Sequence, residues 1–275
     1  MTSALRVDAP AKLNVTLRVV GRRADGHHLL DGLFVQLELA DRLLLLPGSS
    51  GLRVEGEAAR DLPLGRRNLA WRGLTAALGG EPDLACLALE KRIPAQAGLG
   101  GGSSDAAAAW RLGRAWRGLP DTAGAEDLVA LSRIGADVPF FASGQVAARI
   151  GGIGEVLDGA SVAPDHAVLV HPPFGLSTAE VFAELRPDEW GRAENDLLAP
   201  ARRLRPELDD LMDRVERAGG VPRLTGSGST IFTLTPDPEH ARAIAERLRA
   251  EGLDTRLTRI RRAPARIEPI EEDDT

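Results

Sequence analysis

The chain has 275 residues, is 43% hydrophobic and 27% charged, and carries a formal net charge of −6 at pH 7. That is room for one large or two ordinary domains, and the acidic balance gives no electrostatic reason to expect a nucleic-acid partner. The apolar runs are too short to span a bilayer and no signal-peptide layout is present, so no membrane partner is expected. The single cysteine, Cys86, excludes an internal disulfide and fits a cytoplasmic setting.

Leu13, Val15, Leu17 and Val19 alternate with Asn14, Thr16 and Arg18, the period of a half-buried strand. Lys12 and Asn14 then share its polar face. The turn GRRADGHH follows at 21–28, with Asp25-Gly26 as a hairpin signal. His27 and His28 are adjacent, so on a strand they point to opposite sides and do not readily share a metal ion. A second strand sets Leu33, Val35, Leu37 and Leu39 on one face and Phe34, Gln36 and Glu38 on the other. An aromatic at Phe34 either covers a second layer or meets a ligand. Short strands are expected at 42–46 and 51–54, either side of a turn at Pro47-Gly48, then a helix over 68–78 and a strand over 84–92. Cys86 is read as core and Lys91 as a solvated strand residue.

The stretch PAQAGLGGGSSDAAAAW (94–110) follows that strand. Gly98, Gly100, Gly101 and Gly102 let backbone N–H groups approach a ligand closely. The alanine-rich helix expected from Ser104 adds free N–H donors and a positive dipole end. Together these predict an anion site, most often for phosphate. A P-loop would need a lysine and Ser or Thr after the last glycine, and Gly102 is followed by Ser103 and Ser104. A dinucleotide fingerprint fails as well, because the sixth position is Ser103 or Asp105 rather than glycine. The alternative is a flexible loop capped by Ser104 or Asp105.

A helix is expected over 125–134, then GADVPFF (135–141), where Asp137 reads as a turn residue or N-cap. A strand over 146–150 and glycines 151, 152 and 154 close the first half. A composition shift at 158–165 suggests a boundary, giving domains at 1–157 and 158–263 and a frayed acidic tail at 264–275. The second half reads as a strand at 166–171, a capping box from Ser177 to Glu180, and a helix at 206–218. Strands at 221–224 and 231–234 flank the turn TGSGST, and a helix at 238–250 and a strand at 255–260 follow. This order resembles a ferredoxin-like split βαβ unit.

Only two of the 34 basic residues are lysines, Lys12 and Lys91. Where arginine serves every generic charge, a retained lysine suggests a need for a compact ammonium. A phosphate cradle, a lone lysine on a strand and nearby carboxylates suit phosphoryl transfer, which needs positioning and charge stabilisation. The acceptor hydroxyl needs a base. Residue pattern alone leaves Asp25, Asp31, Asp105 and Asp137 equal in that role. No GxSxG, HExxH or CxxC pattern occurs.

Three separate stretches, PAKLN (10–14), PAQAGLGGGSSDAA (94–107) and LTGSGSTIF (224–232), resemble the three motifs of the GHMP small-molecule kinases. RADGHH (23–28), Leu33-Phe34, Asn68-Leu69, GADVPFF, GIGE (152–155) and END (194–196) narrow the resemblance to the branch whose acceptor is 4-diphosphocytidyl-2-C-methyl-D-erythritol. The resemblance implies an α+β, two-domain fold with an S5-domain-2-like N-terminal half and a ferredoxin-like C-terminal half. It implies ATP and Mg2+ as cofactors, a small-molecule acceptor, and a monomer or homodimer. Lys12 and Asp137 correspond to the family's catalytic pair. Pro94, Ala95, Gln96, Ala97, Gly98, Leu99, Gly100, Gly101, Gly102, Ser103 and Ser104 would hold ATP phosphates, with Asn68 near the adenine. Asn14 would lie beside the sugar alcohol, and His28, Phe34 and Phe182 at the cytosine. The late loop from Gly226 to Ser229 would face the ATP loop. His27 stands where the family often has tyrosine, and the chain has no tyrosine at all; an imidazole can still stack, with less area. Alternatives are another GHMP kinase, of mevalonate or homoserine type, or a nucleotide-binding protein without catalysis.

Overall fold

A long antiparallel hairpin, β1 (Leu5–Arg22) and β2 (His28–Pro47), is the spine of the larger sheet. The computed structural model describes residues 3–48, 50–59, 62–163 and 165–270. The hairpin turn uses the Asp25-Gly26 signal: Gly26 takes φ +91° and the Asp25 carboxylate accepts the His27 N–H at 3.2 Å. The two strands expected at 33–39 and 42–46 are one, because nothing between them interrupts the ladder: Ala40 pairs with Pro10 and Asp41 with Ala9.

The alternation in β1 does not keep to one face. A register shift between Asn14 and Thr16 inserts a bulge and exchanges the faces beyond it. Ala11 and Leu13 therefore pack with Val35 and Leu37, whereas Leu17 and Val19 pack in a second cluster with Phe34.

The far half of β2 pairs with β4 (Ala85–Glu90), which runs parallel to β3 (Gly51–Glu55). Its near half pairs with β5 (Ala147–Gly152), and β5 with β6 (Val156–Gly159). Helices α1 (Leu69–Leu78) and α2 (Gly101–Trp116) pack together on this sheet. They cross so closely that a Cβ on Gly73 would lie 2.0 Å from the Ala106 carbonyl oxygen, and the buried alanines 106–109 are what permit this. Short helices α3 (Ala125–Ser132) and α4 (Val138–Ala142) complete this part.

The smaller sheet contains β7 (His166–His171), β8 (Arg223–Leu224), β9 (Ile231–Thr235) and β10 (Asp254–Arg259) in the antiparallel order β10-β7-β9-β8. With α5 (Thr178–Glu184), α6 (Leu198–Leu204), α7 (Glu207–Arg217) and α8 (Pro238–Ala250) it has the split βαβ arrangement. Helix α6 goes beyond the sequence expectation; the segment LAPARRL is too short to display a helical period. Ala167, Leu169 and Phe232 pack against Ala11, Leu13, Val35 and Leu37 of the larger sheet. Val168 and Val170, on the other face, pack against the helices.

The boundary expected at 157/158 falls inside β6, where Asp158 pairs with Arg149, so the larger sheet continues to Gly159. In the segment expected to fray, β11 (Glu268–Pro269) returns to pair with β1; residues 271–275 lie outside the described residues.

Candidate active site

The glycine-rich loop runs from β4 into α2. Gln96, Gly98 and Gly100 all take positive φ, at 54°, 75° and 69°. Helix α2 begins at Gly101, earlier than Ser104, with Gly100 as a left-handed N-cap that has no side chain to cap with. The N–H groups of Gly101, Gly102 and Ser103 thus have no intrahelical acceptor and face an anion's natural place. Neither Ser104 nor Asp105 caps the helix. Both are buried, and Ser104 does not line the cavity described below.

Lys12 enters from β1 beneath this loop. It is only 3% exposed, against the expectation of an open polar face, because the loop covers that face. Its ammonium donates to the Gly98 carbonyl at 2.9 Å and to the Asn14 side-chain oxygen, and lies 3.6 Å from the Asp137 carboxylate. It also lies 5.4 Å over the Phe34 ring. Burial lowers the Lys12 pKa, and Asp137 opposes that. Asp137 precedes α4, yet its side chain makes no capping hydrogen bond and keeps 29% of its surface exposed. Its carboxylate is free for chemistry.

The turn carrying Asp137 is braced by GIGE. Gly154 takes φ +120°, and a Cβ there would lie 2.4 Å from the Ala136 carbonyl. Glu155 accepts the Ile153 N–H at 2.6 Å. A Cβ on Gly135 would lie 3.1 Å from the Ser103 hydroxyl, so the helix start and the Asp137 turn are in contact.

The late loop closes the same space. A Cβ on Gly98 would meet the Thr225 carbonyl at 2.3 Å, and one on Gly226 would meet the Lys12 ammonium at 3.2 Å. The Thr225 hydroxyl donates to the Asn14 side-chain oxygen at 3.2 Å. END serves this loop: Asn195 donates to the carbonyls of Leu224 at 2.8 Å and Gly226 at 2.9 Å. Asp196 accepts the N–H groups of Val19 at 2.8 Å and Gly191 at 2.6 Å.

Lys91 is not solvated. It is 3% exposed and donates to Asp105 at 2.7 Å and to Asp41. The polar face of β4 is covered by the start of α2, so the strand period misleads at its end. Asp41 also accepts the N–H groups of Arg92 at 2.6 Å and Ile93 at 2.8 Å. Burial lowers the Lys91 pKa, but Asp105 and Asp41 outweigh it and the net shift is upward. Burial, reinforced by Asp41, pushes the Asp105 carboxyl up to about 8.

A cavity of about 1150 Å3 joins these parts. Its wall includes Lys12, Asn14, Phe34, Asn68, Asp137, Phe182, His27, His28 and the loop from Pro94 to Ser103. Asn68 caps α1, accepting the Ala70 N–H at 2.9 Å and donating to the Pro63 carbonyl at 2.8 Å. Phe34 does both things its position allowed: it packs edge-on against Phe140 at 5.7 Å and lines the cavity. His28 stacks on Phe182 at 5.1 Å and meets the edge of Trp190 at 5.7 Å. Burial and the charge of Arg22 hold the His28 imidazole below its ordinary pKa, which favours its neutral form. His27 turns outward, 64% exposed, beside Asp25 at 3.3 Å.

Sequence reasoning did not single out Trp190, Asn195, Thr225 or Asp41. Asn195 and Thr225 lay inside quoted motifs. Trp190 and Asp41 had no local pattern to mark them. Among the described residues no group of three or more His, Cys, Asp or Glu could hold a metal ion, and no helix is long and apolar enough to cross a membrane.

The family description "GHMP kinases N terminal domain" matches residues 68–145, and "GHMP kinases C terminal" matches residues 178–254. The 4-diphosphocytidyl-2-C-methyl-D-erythritol kinase of Thermus thermophilus is 42% identical over 268 residues, covering 89% of this chain and 92% of that protein. The enzyme of that name from Dinoroseobacter shibae is 41% identical over 271 residues, with 87% and 88% covered. A crystal structure of 4-(cytidine 5′-diphospho)-2C-methyl-D-erythritol kinase matches with a TM-score of 0.76 at 37% identity, over 93% of this chain and 98% of that one. The homoserine kinase of Cytophaga hutchinsonii shares the fold, with a TM-score of 0.69 over 98% of each chain, at 17% identity.

Proposed function

The chain belongs to the GHMP kinase family and, within it, to the 4-diphosphocytidyl-2-C-methyl-D-erythritol kinases, and from that premise we propose how its residues perform the reaction. It uses ATP to phosphorylate the 2-hydroxyl of 4-diphosphocytidyl-2-C-methyl-D-erythritol, giving the 2-phosphate and ADP, a step of non-mevalonate isoprenoid biosynthesis. The observation that carries the residue assignment is the Lys12–Asp137 pair, 3.6 Å apart, on the wall of the cavity that also holds the glycine loop and the His28–Phe182 stack.

Asp137 takes the proton from the acceptor hydroxyl. The freed oxygen attacks the γ-phosphorus as the bond to the ADP oxygen breaks. Lys12, already charged and desolvated, stabilises the developing alkoxide and keeps Asp137 in its anionic form. The N–H groups of the loop from Gly98 to Ser103 hold the phosphates, and Asn68 stands at the adenine. Asn14 lies beside the sugar alcohol, and neutral His28 can both donate to and accept from the cytosine edge. Mg2+, when bound, neutralises phosphate charge. The residues present would leave the ion held chiefly by phosphate and water, with the Ser103 hydroxyl at the helix start as a protein oxygen within the cavity wall.

A mevalonate- or homoserine-type acceptor would leave the His28–Phe182 end of the cavity without a purpose, and a non-catalytic nucleotide binder would have no use for the Lys12–Asp137 pair. A coupled ADP-release assay with Mg2+ decides. Turnover is expected with the cytidine-linked acceptor and not with mevalonate or L-homoserine; the reverse result overturns the substrate assignment.

A further inference from the structure

Resting on that reading, we propose that Trp190 is a positioning residue that sets the base specificity of the acceptor site by holding the His28 imidazole edge-on. Nothing in the motifs that mark the family includes it. It follows the short turn Pro187–Glu189, in an irregular stretch between α5 and α6.

Three observations carry the proposal. First, His28 touches two aromatic rings of the smaller-sheet half: Phe182 lies face to face at 5.1 Å with planes 24° apart, and Trp190 lies edge-on at 5.7 Å with planes 90° apart. Phe182 lines the cavity, and Trp190 is not among the residues of its wall. An edge contact of this kind fixes the plane of a ring. With Trp190 in place, the direction of the two imidazole nitrogens is set, and that direction is what reads a base edge.

Second, Trp190 is itself anchored on both sides. Glu189 accepts the Arg186 N–H at 3.0 Å and the Arg203 guanidinium at 2.6 Å. The Gly191 N–H donates to Asp196 at 2.6 Å, and Asp196 also holds β1 through Val19. The backbone on both sides of Trp190 is thus held, on one side to the strand that carries Lys12. Third, its N–H is buried with no hydrogen-bond partner among the described residues. A buried donor without an acceptor is unfavourable, so the indole is held by its packing on the imidazole and not by a hydrogen bond of its own.

His27 does not supply this ring. It is turned to solvent beside Asp25. The chain has no tyrosine, and the rings that touch His28 are Phe182 and Trp190.

The test compares wild type, W190F and W190A with the cytidine-linked acceptor and with its uridine analogue. In W190A the KM for the cytidine acceptor rises about 3- to 10-fold, the effect of losing one aromatic edge contact. The KM for ATP stays within about 2-fold, and the preference for cytidine over uridine falls. W190F keeps a ring and recovers most of the loss. An unchanged acceptor KM in W190A, or an equal rise in both KM values, overturns the proposal. If W190A does not fold, fluorescence decides. Adding the cytidine acceptor without ATP changes the tryptophan emission of wild type and not that of W190F; a response that persists in W190F overturns the proposal. Wild type that turns over no cytidine acceptor refutes the substrate assignment instead, and the fluorescence comparison still judges Trp190.

Discussion

The two lysines of this chain lie under consecutive glycines of one loop, and their surroundings differ. A Cβ on Gly100 would meet the Lys12 side chain at 3.0 Å, and one on Gly101 would meet the Lys91 ammonium at 3.3 Å. Lys12 has one carboxylate near it, 3.6 Å away and partly open to the cavity, and burial lowers its pKa. Lys91 has two, Asp41 and Asp105, all three side chains being at most 5% exposed, and its pKa is raised. A lightly paired ammonium keeps field strength to spend on a developing charge. A doubly paired one is saturated, and its role is to hold the loop's floor together. On the proposed reading the same residue type serves chemistry in one place and architecture in the other, and what decides is the number of carboxylates brought to it.

The largest effect is expected where the pairing is loose. Asp137→Asn keeps the shape and removes the base, so kcat falls about 10²- to 10⁴-fold. The melting temperature falls less than in a variant of the sealed site, because the Asp137 carboxylate is partly open to the cavity and makes no capping hydrogen bond. Steady-state ADP release and thermal melting are read on the same preparation. A variant that loses stability along with activity would make Asp137 a structural residue and erase the contrast with Lys91.

The opposite split is expected at the sealed site. Lys91→Met leaves Asp41 buried with its two backbone donors but no counter-charge. Removing one partner of a buried ion pair costs about 3–5 kcal/mol, which for a chain of this size lowers the melting temperature by on the order of 10 °C. Activity per folded molecule then falls less than in Asp137→Asn. Full stability with lost turnover would place Lys91 among the reacting groups.

What was legible in the sequence follows from the range of the interactions involved. The loop, the capped helices and the hairpin turn depend on residues within a few positions of one another, and they stand where expected. Lys12 and Asp137 came from short motifs, and their meeting across 125 positions rested on resemblance. Lys91 was misread because β4 alternates like a half-exposed strand, while its true partners arrive from β2 and α2. Its scarcity as a lysine was the better signal. The bulge at Asn14 and Thr16, which carries Leu17 and Phe34 into one cluster, leaves no local mark. Trp190 lies in an irregular stretch, where no period exists to say which way a side chain turns.

The smallest expected effect sharpens the account of the sealed site. Burial first, then Asp41, pushes Asp105 from its ordinary 3.8 to about 8, against the pull of Lys91. The folded chain therefore binds a proton at Asp105 more tightly than the unfolded chain does. Stability falls with rising pH wherever the native state binds more protons, here between about pH 4 and pH 8. Asp105→Asn supplies a neutral group of the same shape and removes this dependence. The melting temperature of wild type should decline relative to that of the variant from pH 5 to pH 8. Parallel curves would mean that folding leaves the proton affinity of the Asp105 carboxyl unchanged, and that Lys91 offsets its burial in full.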